Sequence, residues 1–540
     1  MTARHLTAIR RTAQAASVIL LLVIIWKTRY PLTGFISPEF YFTIDPLAMY
    51  VTSIAERVLL PGLIFATITV VLSFVAGRAF CGWFCPLGAF LDFVSFLRSL
   101  AMKPLRRKAR EGEPLPLRHG KYALLAIILF LALAGIQVAW LLDPFTIFVR
   151  TVSFTLHPAV NAAVDGAMTR LLHVTDYPLW LESIYDGMRE SFLSVTAPRF
   201  DHVGAILGVA GAIILLSLTK RRFWCRYLCP LGAILALPAR CSLLVRVTDA
   251  CRTNCGVCRN LCRMNAIRGD NSYLKGECII CLDCMEGCPG GKTDFAFRLD
   301  QRNIADNVPA VRDTAGTDDG GPSLTRGRFI ILGLGSLLAS LCASLASAPR
   351  AKRLRPGTAA NLRPPGSLPE DEFIRRCIRC GNCMKVCPTN LLQPAPFSAG
   401  PGAAWAPRFD TDRGYCEYPC TLCGRVCPTG AIRELAVPEK QRLQIGLAVF
   451  DKKICIPYAE GKDCIVCEEH CPVPDKAIRL VETIVKGVRV KQPVVVPELC
   501  IGCAICEHKC PTEPDKGIYV MKVTALPDVR PRRVAVIPTP

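Results

Sequence analysis

Four cysteines, Cys377, Cys380, Cys383 and Cys387, spaced C-x2-C-x2-C-x3-C and followed by Pro388, constrain this chain more than any other stretch. Three thiols within seven residues can wrap three corners of an iron-sulfur cube, and Pro388 turns the fourth away towards a neighbouring cube. Versions of the run recur at Cys251, Cys255, Cys258 and Cys262; at Cys278, Cys281, Cys284 and Cys288; at Cys416, Cys420, Cys423 and Cys427; at Cys455, Cys464, Cys467 and Cys471; and at Cys500, Cys503, Cys506 and Cys510. A zinc site also accepts four thiolates, but it does not call for a Cys-Pro at this offset repeated in pairs. Six [4Fe-4S] clusters are therefore expected.

With 51% hydrophobic residues and 30 Cys in 540 residues, the chain combines membrane-like composition with a metal-rich portion. The formal charge of +21 overstates the folded protein, because a cluster on four thiolates carries about two negative charges. Cluster compensation and positive-inside loops account for the basic balance, and no nucleic-acid motif is present.

Four apolar segments are expected to cross a membrane: Ala13 to Trp26, Val58 to Val75, Tyr122 to Leu142 and Val203 to Leu218. Lys and Arg crowd the N-terminus, the stretch from Arg98 to Lys121 and the run Lys220, Arg221, Arg222, so these flanks should be cytoplasmic. Thr28 to Arg57 and Asp143 to His202 then lie outside. Inside this half is a repeat: Ile44-Asp45-Pro46-Leu47 matches Leu142-Asp143-Pro144-Phe145, and Cys81-x3-Cys85-Pro86-Leu-Gly-Ala matches Cys225-x3-Cys229-Pro230-Leu-Gly-Ala. Thiols at i and i+4 share a helix face, so Cys81, Cys85, Cys225 and Cys229 could converge on a shared metal or form a redox pair. Two reduced thiol pairs at a tight turn are the plainer alternative.

In a two-cluster ferredoxin the fourth Cys crosses over, which predicts one cluster on Cys251, Cys255, Cys258 and Cys288 and another on Cys278, Cys281, Cys284 and Cys262. The first of these motifs has a three-residue opening gap and Arg263 where Pro is usual. Residues 301–325 read as a linker. After it, Arg326 and Arg328 open an apolar stretch ending in Ala-Ser-Ala at 348, which describes an export signal in mid-chain; uncleaved, it makes a fifth span. The four last motifs follow about 40 residues apart. Their fourth-Cys exchange could join neighbours or nest first with fourth, and the spacing leaves both open. No C-x-x-C-H, intramembrane His, P-loop or Rossmann fingerprint is present, so the expected work is moving electrons.

On these motifs, residues up to about 300 resemble the NapH-type membrane polyferredoxins, and residues from about 325 resemble the NapG/MauM-type four-cluster ferredoxins with a twin-arginine signal. The resemblance implies a fusion: an α+β membrane protein with a four-helix membrane domain at 1–250, a cytoplasmic two-cluster domain at 251–300, the linker, a Tat-like signal at 326–348 and a four-cluster domain at 349–540. It also implies residence in a bacterial inner membrane with the last domain periplasmic, and quinol as mobile substrate drawn from the membrane quinone pool. Electrons would go to a periplasmic reductase, a nitrate-reductase system first among them, with Asp45 and Asp143 as candidate quinol contacts. Two other functions remain open: an assembly factor that reduces or transfers a metal through Cys81, Cys85, Cys225 and Cys229, and a cytoplasmic ferredoxin-quinone carrier.

Overall fold

The computed structural model describes residues 3–32, 37–101, 116–176, 178–191, 193, 198–201, 203–248, 255–269, 271–298, 362–395, 403–485 and 487–523. Cys251, the basic run 103–110, the 301–325 linker and the 326–348 signal lie outside the described residues. The chain divides into two compact units, one of Met1–Ile25, Glu39–Val152 and Gly204–Leu345, the other of Trp26–Pro38, Ser153–Val203 and Ala346–Pro540.

Helix α1 (Ala3–Lys27) begins the first unit and is long and apolar enough to cross a membrane. Three further apolar stretches form α2 (Pro46–Glu56), α3 (Leu63–Ala76) and, after α4 (Ala79–Trp83) and α5 (Pro86–Ala101), α6 (Gly120–Leu133). The expected span Tyr122 to Leu142 is cut short. Gly135 takes a positive φ of 78°, and Gly135 N–H and Ile136 N–H cap α6 on the carbonyls of Ala132 and Leu131 at 2.8 and 2.9 Å. Helix α7 (Pro144–Thr151) follows, and after α8 (His157–Val174) and α9 (Leu179–Ser191), which belong to the other unit, α10 (Val203–Thr219) and α11 (Pro230–Ala239) complete the apolar set. Among the described helices only α1 meets the length for crossing; α3 and α6 have 14 residues and α10 has 17. That is roughly 21 to 26 Å of helix at 1.5 Å per residue.

Helix α3 is inside out. It buries Ala66, Thr69 and Ser73 while exposing Ile64, Phe65, Ile68, Val71 and Leu72, the reverse of a helix on a water-facing surface. Close contact with α11 and α2 explains the small buried residues. The unit ends in a small α+β fold, where β1 (Leu244–Thr248) pairs antiparallel with β2 (Thr293–Phe297), from Leu244 opposite Phe297 to Thr248 opposite Thr293.

In the second unit, α8 (His157–Val174) and α9 (Leu179–Ser191) pack through Leu172, Leu181 and Tyr185. The cysteine-rich part folds around three antiparallel pairs: β3 (Leu392–Pro394) with β4 (Pro407–Phe409), β5 (Leu447–Phe450) with β8 (Ile518–Met521), and β6 (Ile478–Val485) with β7 (Val488–Val495). Its first motif is held by the unit's other segments. Lys385 Nζ donates to the Thr28 carbonyl at 3.2 Å and Asn382 Nδ2 to that of Pro38 at 3.4 Å. Asn390 Nδ2 and Gln393 Nε2 both donate to the Arg199 carbonyl, at 2.7 and 3.0 Å, and the Asp201 carboxylate pairs with Arg408 and Arg413. Gly381 is obligatory there, because a Cβ would stand 2.5 Å from the Phe154 ring.

Candidate iron-sulfur centres

Each motif wraps its thiols by a local backbone reversal. The residue after the second Cys takes a positive φ in four motifs, at Gly256 (59°), Leu282 (64°), Gly381 (89°) and Ala504 (64°), and a helix of four or five residues carrying the third Cys follows. The helix ends at or before the fourth Cys, whose extended backbone leads away from the first three. Cys262, Cys387 and Cys510 have φ and ψ near −65° and 115°, for example −67° and 115° at Cys387.

Where the fourth thiol goes is decided by chain pairing. Cys377, Cys380 and Cys383 line a cavity of about 350 Å³ with Cys427, whereas Cys387 joins Cys416, Cys420 and Cys423 around one of about 370 Å³. Cys455, Cys464 and Cys467 meet Cys510, and Cys471 meets Cys500, Cys503 and Cys506, in cavities of about 330 Å³ each. In the first unit Cys262 closes the cavity of about 380 Å³ lined by Cys278, Cys281 and Cys284. Neighbouring motifs therefore exchange their last thiols, and the nested arrangement is not adopted. Cys255, Cys258 and Cys288 are described as well, but with Cys251 outside the described residues their group is incomplete.

Four convergent thiols with an otherwise apolar lining are the donor set an iron-sulfur cluster takes. Backbone N–H groups point at sulfur, with Ile432 N to Cys427 Sγ at 3.4 Å and Ala266 N to Cys262 Sγ at 3.2 Å, which stabilises thiolate charge. Burial pushes the thiols of Cys416 and Cys455 up to about 11 and those of Cys467 and Cys503 up to about 12. The unligated thiols thus hold their protons at neutral pH, and assembly of a cluster displaces them.

The first unit contains a second cysteine arrangement. Cys81, Cys85, Cys225 and Cys229 are all buried, at 5 to 7% exposure. Cys85 lies within electrostatic reach of Cys81 and Cys225, and Cys229 of the other three. Cys229 caps α11, its sulfur accepting from Gly232 N–H at 3.3 Å. Two arginines that motif reading missed frame the four thiols. Arg78 and Arg222 each stand three residues before the first Cys of their repeat, and each reaches the glycine of the other repeat. A Cβ on Gly88 would lie 3.4 Å from Arg222 Nη1, and one on Gly232 would lie 2.5 Å from Arg78 Nη2. Aligning the repeats a few residues further upstream would have exposed this matching pair.

Both repeats also abut the neighbouring cluster motif. Gly82 has no room for a Cβ, which would stand 2.1 Å from the Ile279 carbonyl, and Trp83 Nε1 donates to the Ile280 carbonyl at 3.0 Å. From the other repeat, Arg226 Nε donates to the Arg263 carbonyl at 2.9 Å. Arg263, the residue in place of the usual Pro, pairs with Asp92 at 2.8 Å and with Asp283. Asp92 in turn holds Arg222 through two contacts of 2.8 and 2.6 Å.

Asp45 and Asp143 are fully buried helix caps. Asp45 accepts from Leu47 N–H at 2.9 Å and Asp143 from Thr146 N–H at 2.7 Å. Burial and the neighbouring Asp143 carboxyl raise Asp45 well above the usual carboxylate range. Their matched sequence thus has a structural use in starting α2 and α7.

Comparisons with known proteins agree with this chemistry. A family described as 4Fe-4S binding domain matches residues 58–104 and 202–248, and one described as 4Fe-4S dicluster domain matches 376–431. The methylamine utilization ferredoxin-type protein MauM of Methylorubrum extorquens is 37% identical over 155 residues, 28% of this chain and 67% of its own length. The ferredoxin-type protein NapG of Escherichia coli is 35% identical over 164 residues, again 28% of this chain and 67% of its own. Protein NirI of Paracoccus denitrificans is 27% identical over 224 residues, 41% of this chain and 26% of its own. No solved structure matches. With four thiols converging in each described centre and this identity over two thirds of MauM, the chain belongs to the MauM/NapG ferredoxin-type family of iron-sulfur electron-transfer proteins.

Proposed function

We propose that this chain fuses a NapH-type membrane part with a NapG/MauM-type four-cluster ferredoxin, and that it oxidises quinol at the inner membrane and supplies electrons to a periplasmic reductase. The 24 motif cysteines are the ligands of six clusters in this reading, and bound clusters supply one-electron carriage. One observation carries the proposal. The segments that the Lys and Arg pattern puts outside, Trp26–Pro38 and most of Asp143 to His202, build one compact unit with the four-cluster portion. Segments that pack together must lie on one side of a bilayer about 30 Å thick, so the four-cluster portion goes with them to the outer side. The outward-facing Ile64, Ile68, Val71 and Leu72 of α3 support a lipid-facing first unit.

Quinol oxidation would send two electrons, one at a time, to the clusters and two protons to the outer aqueous phase, and we assign His157 as the hydrogen-bond acceptor that orients a quinol hydroxyl. It is 1% exposed, neither ring nitrogen has a hydrogen-bond partner, and its ring meets Trp26 edge-on at 4.8 Å. Burial, then Lys385 and Arg29, lowers its pKa to about 3, so the ring is neutral and can accept.

Protease treatment of a C-terminal tag tests the placement. Cleavage in intact spheroplasts is expected; protection until lysis would remove the periplasmic reading and favour a cytoplasmic ferredoxin-quinone carrier. His157→Phe should slow reduction of the purified protein by a quinol analogue at least tenfold while reduction by dithionite stays complete. Equal quinol rates would remove His157 from the proposal.

A further inference from the structure

The four centres of the C-terminal portion form a single file. The first is lined by Cys377, Cys380, Cys383 and Cys427, the second by Cys387, Cys416, Cys420 and Cys423, the third by Cys471, Cys500, Cys503 and Cys506, and the fourth by Cys455, Cys464, Cys467 and Cys510. Thiol exchange joins first to second and third to fourth. The two pairs meet where Cys416 N–H donates to the Cys503 carbonyl at 2.9 Å. We propose that Lys440 raises the reduction potential of the second centre, so that an electron arriving from the first rests there and its onward step to the third runs uphill.

Lys440 lies in the short helix Val437–Arg442 and is 0% exposed. Its Nζ donates to the Tyr418 carbonyl at 3.0 Å and to that of Glu417, and among the described residues it pairs with no carboxylate. A buried ammonium without a counter-charge is costly. The groups in its electrostatic reach that can supply negative charge are the Cys416 and Cys420 thiols, which become thiolates when a cluster is bound. Two carbonyls take two of its three N–H donors, leaving one for sulfur.

The sequence makes room for this cation. Three residues separate Cys416 from Cys420, where two separate Cys377 from Cys380 and Cys500 from Cys503. The added residue allows a turn in which the Glu417 carbonyl accepts from Cys420 N–H at 3.2 Å as well as from Lys440. Two carbonyls of the ligand loop itself are thereby laid on one ammonium.

The other centres face cations too, and burial ranks them. Arg379, beside Cys377 of the first centre, is buried. Lys476 donates to the Cys471 carbonyl at 3.1 Å and Lys516 to that of Cys510 at 3.0 Å, but both are only half-buried, and water screens a charge that reaches it. The third centre also has a buried carboxyl beside it, Glu507 next to Cys506. Net charge and hydrogen bonds to sulfur set cluster potentials, so the field that favours an added electron falls between the second and third centres. Each step moves one electron from a centre to its neighbour, oxidising the first and reducing the second, and no bond forms or breaks. Resting on the quinol reading above, the first two centres would then hold the two electrons of one quinol until an acceptor draws them on.

The test is an EPR-monitored redox titration, with dithionite and mediators, of full-length protein prepared without oxygen, for wild type, Lys440→Gln and Lys440→Arg. The second centre's signal is the one missing from Cys387→Ser, and the third's is the one missing from Cys471→Ser. Lys440→Gln keeps a donor for the carbonyls but loses the charge. It should lower the reduction equilibrium of the second centre at least tenfold, about 59 mV for one electron, with iron content unchanged. Lys440→Arg, which keeps the charge, should stay within about threefold of wild type. An unmoved midpoint in Lys440→Gln, or an equal fall in Lys440→Arg, would overturn the inference. Should Lys440→Gln lose iron, the wild type decides alone: reduction of the second centre before the third supports the proposal, and the reverse order refutes it. No quinol enters these titrations, so failure of quinol oxidation would leave their result standing, whereas protein without iron would remove the clusters and this proposal together.

Discussion

At the scale of the residue, Arg263 explains why one motif departs from its pattern. Proline there would turn the chain but could not reach Asp92, whereas Arg263 ties the cluster motif to the Asp92 carboxylate that also holds Arg222. Burial opposes ionisation of Asp92, but Arg222 and then Arg263 hold its carboxyl well below the usual range. A depressed folded pKa adds stability that is complete above the unfolded value near 4 and fades as pH falls towards the folded one. Asp92→Asn should therefore destabilise the protein by about 3 kcal/mol at pH 7, since it strands buried Arg222, and the deficit should shrink below about pH 4. Thermal unfolding in detergent across that range checks it; equal midpoints at pH 7 would show that Asp92 is dispensable. The thiols of this network were legible from spacing alone. Arg78 and Arg222 were not, because a lone arginine beside an apolar span reads equally well as an orientation signal.

Among the elements, the short antiparallel pairs do the sorting of thiols. Strand β5 precedes one motif and β8 follows the next, so the register of Phe450 opposite Ile518 lays the two motifs side by side and delivers Cys471 and Cys510 to each other's cavities. Spacing within a motif could not choose between neighbour exchange and nesting, since either satisfies the same local turn. Cys427→Ser should accordingly lose the cluster of the motif before it, at Cys377, Cys380 and Cys383, and spare that of Cys416, Cys420 and Cys423. Reduced-state EPR with iron analysis reads this, and loss of the Cys416 centre instead would contradict the pairing. The eight residues between Cys455 and Cys464 also gain a purpose. They form a turn of helix, Ile456–Ala459, whose Tyr458 hydroxyl donates to the Pro493 carbonyl of β7 at 2.9 Å. Cysteine spacing reveals the insertion; only its docking on the hairpin shows that it braces the cavity.

For the whole molecule, the second unit is assembled from three separated stretches of sequence, and its cohesion is testable. With Lys385 on Thr28, Asn382 on Pro38, and Asp201 on Arg408 and Arg413, the four-cluster portion should stay bound to the rest after the chain is cut. A protease site placed at residue 320 and cleaved in mild detergent should leave residues 350–540 co-eluting with the N-terminal fragment. Release as a separate species would show that these contacts do not hold without the covalent link. The sequence by itself determined the chemistry: thiol spacing decides which cofactor can be wrapped, because a few bonds of backbone set the geometry within each motif, and apolar runs announce buried or lipid-facing helices. It did not determine helix ends such as Gly135, the partner of each fourth cysteine in the four-cluster portion, the crossed arginines or the joining of Trp26–Pro38 and Ser153–Val203 to the ferredoxin portion. Those depend on contacts between residues far apart in the chain, whose energies exist only once tertiary packing has brought them within a few ångströms.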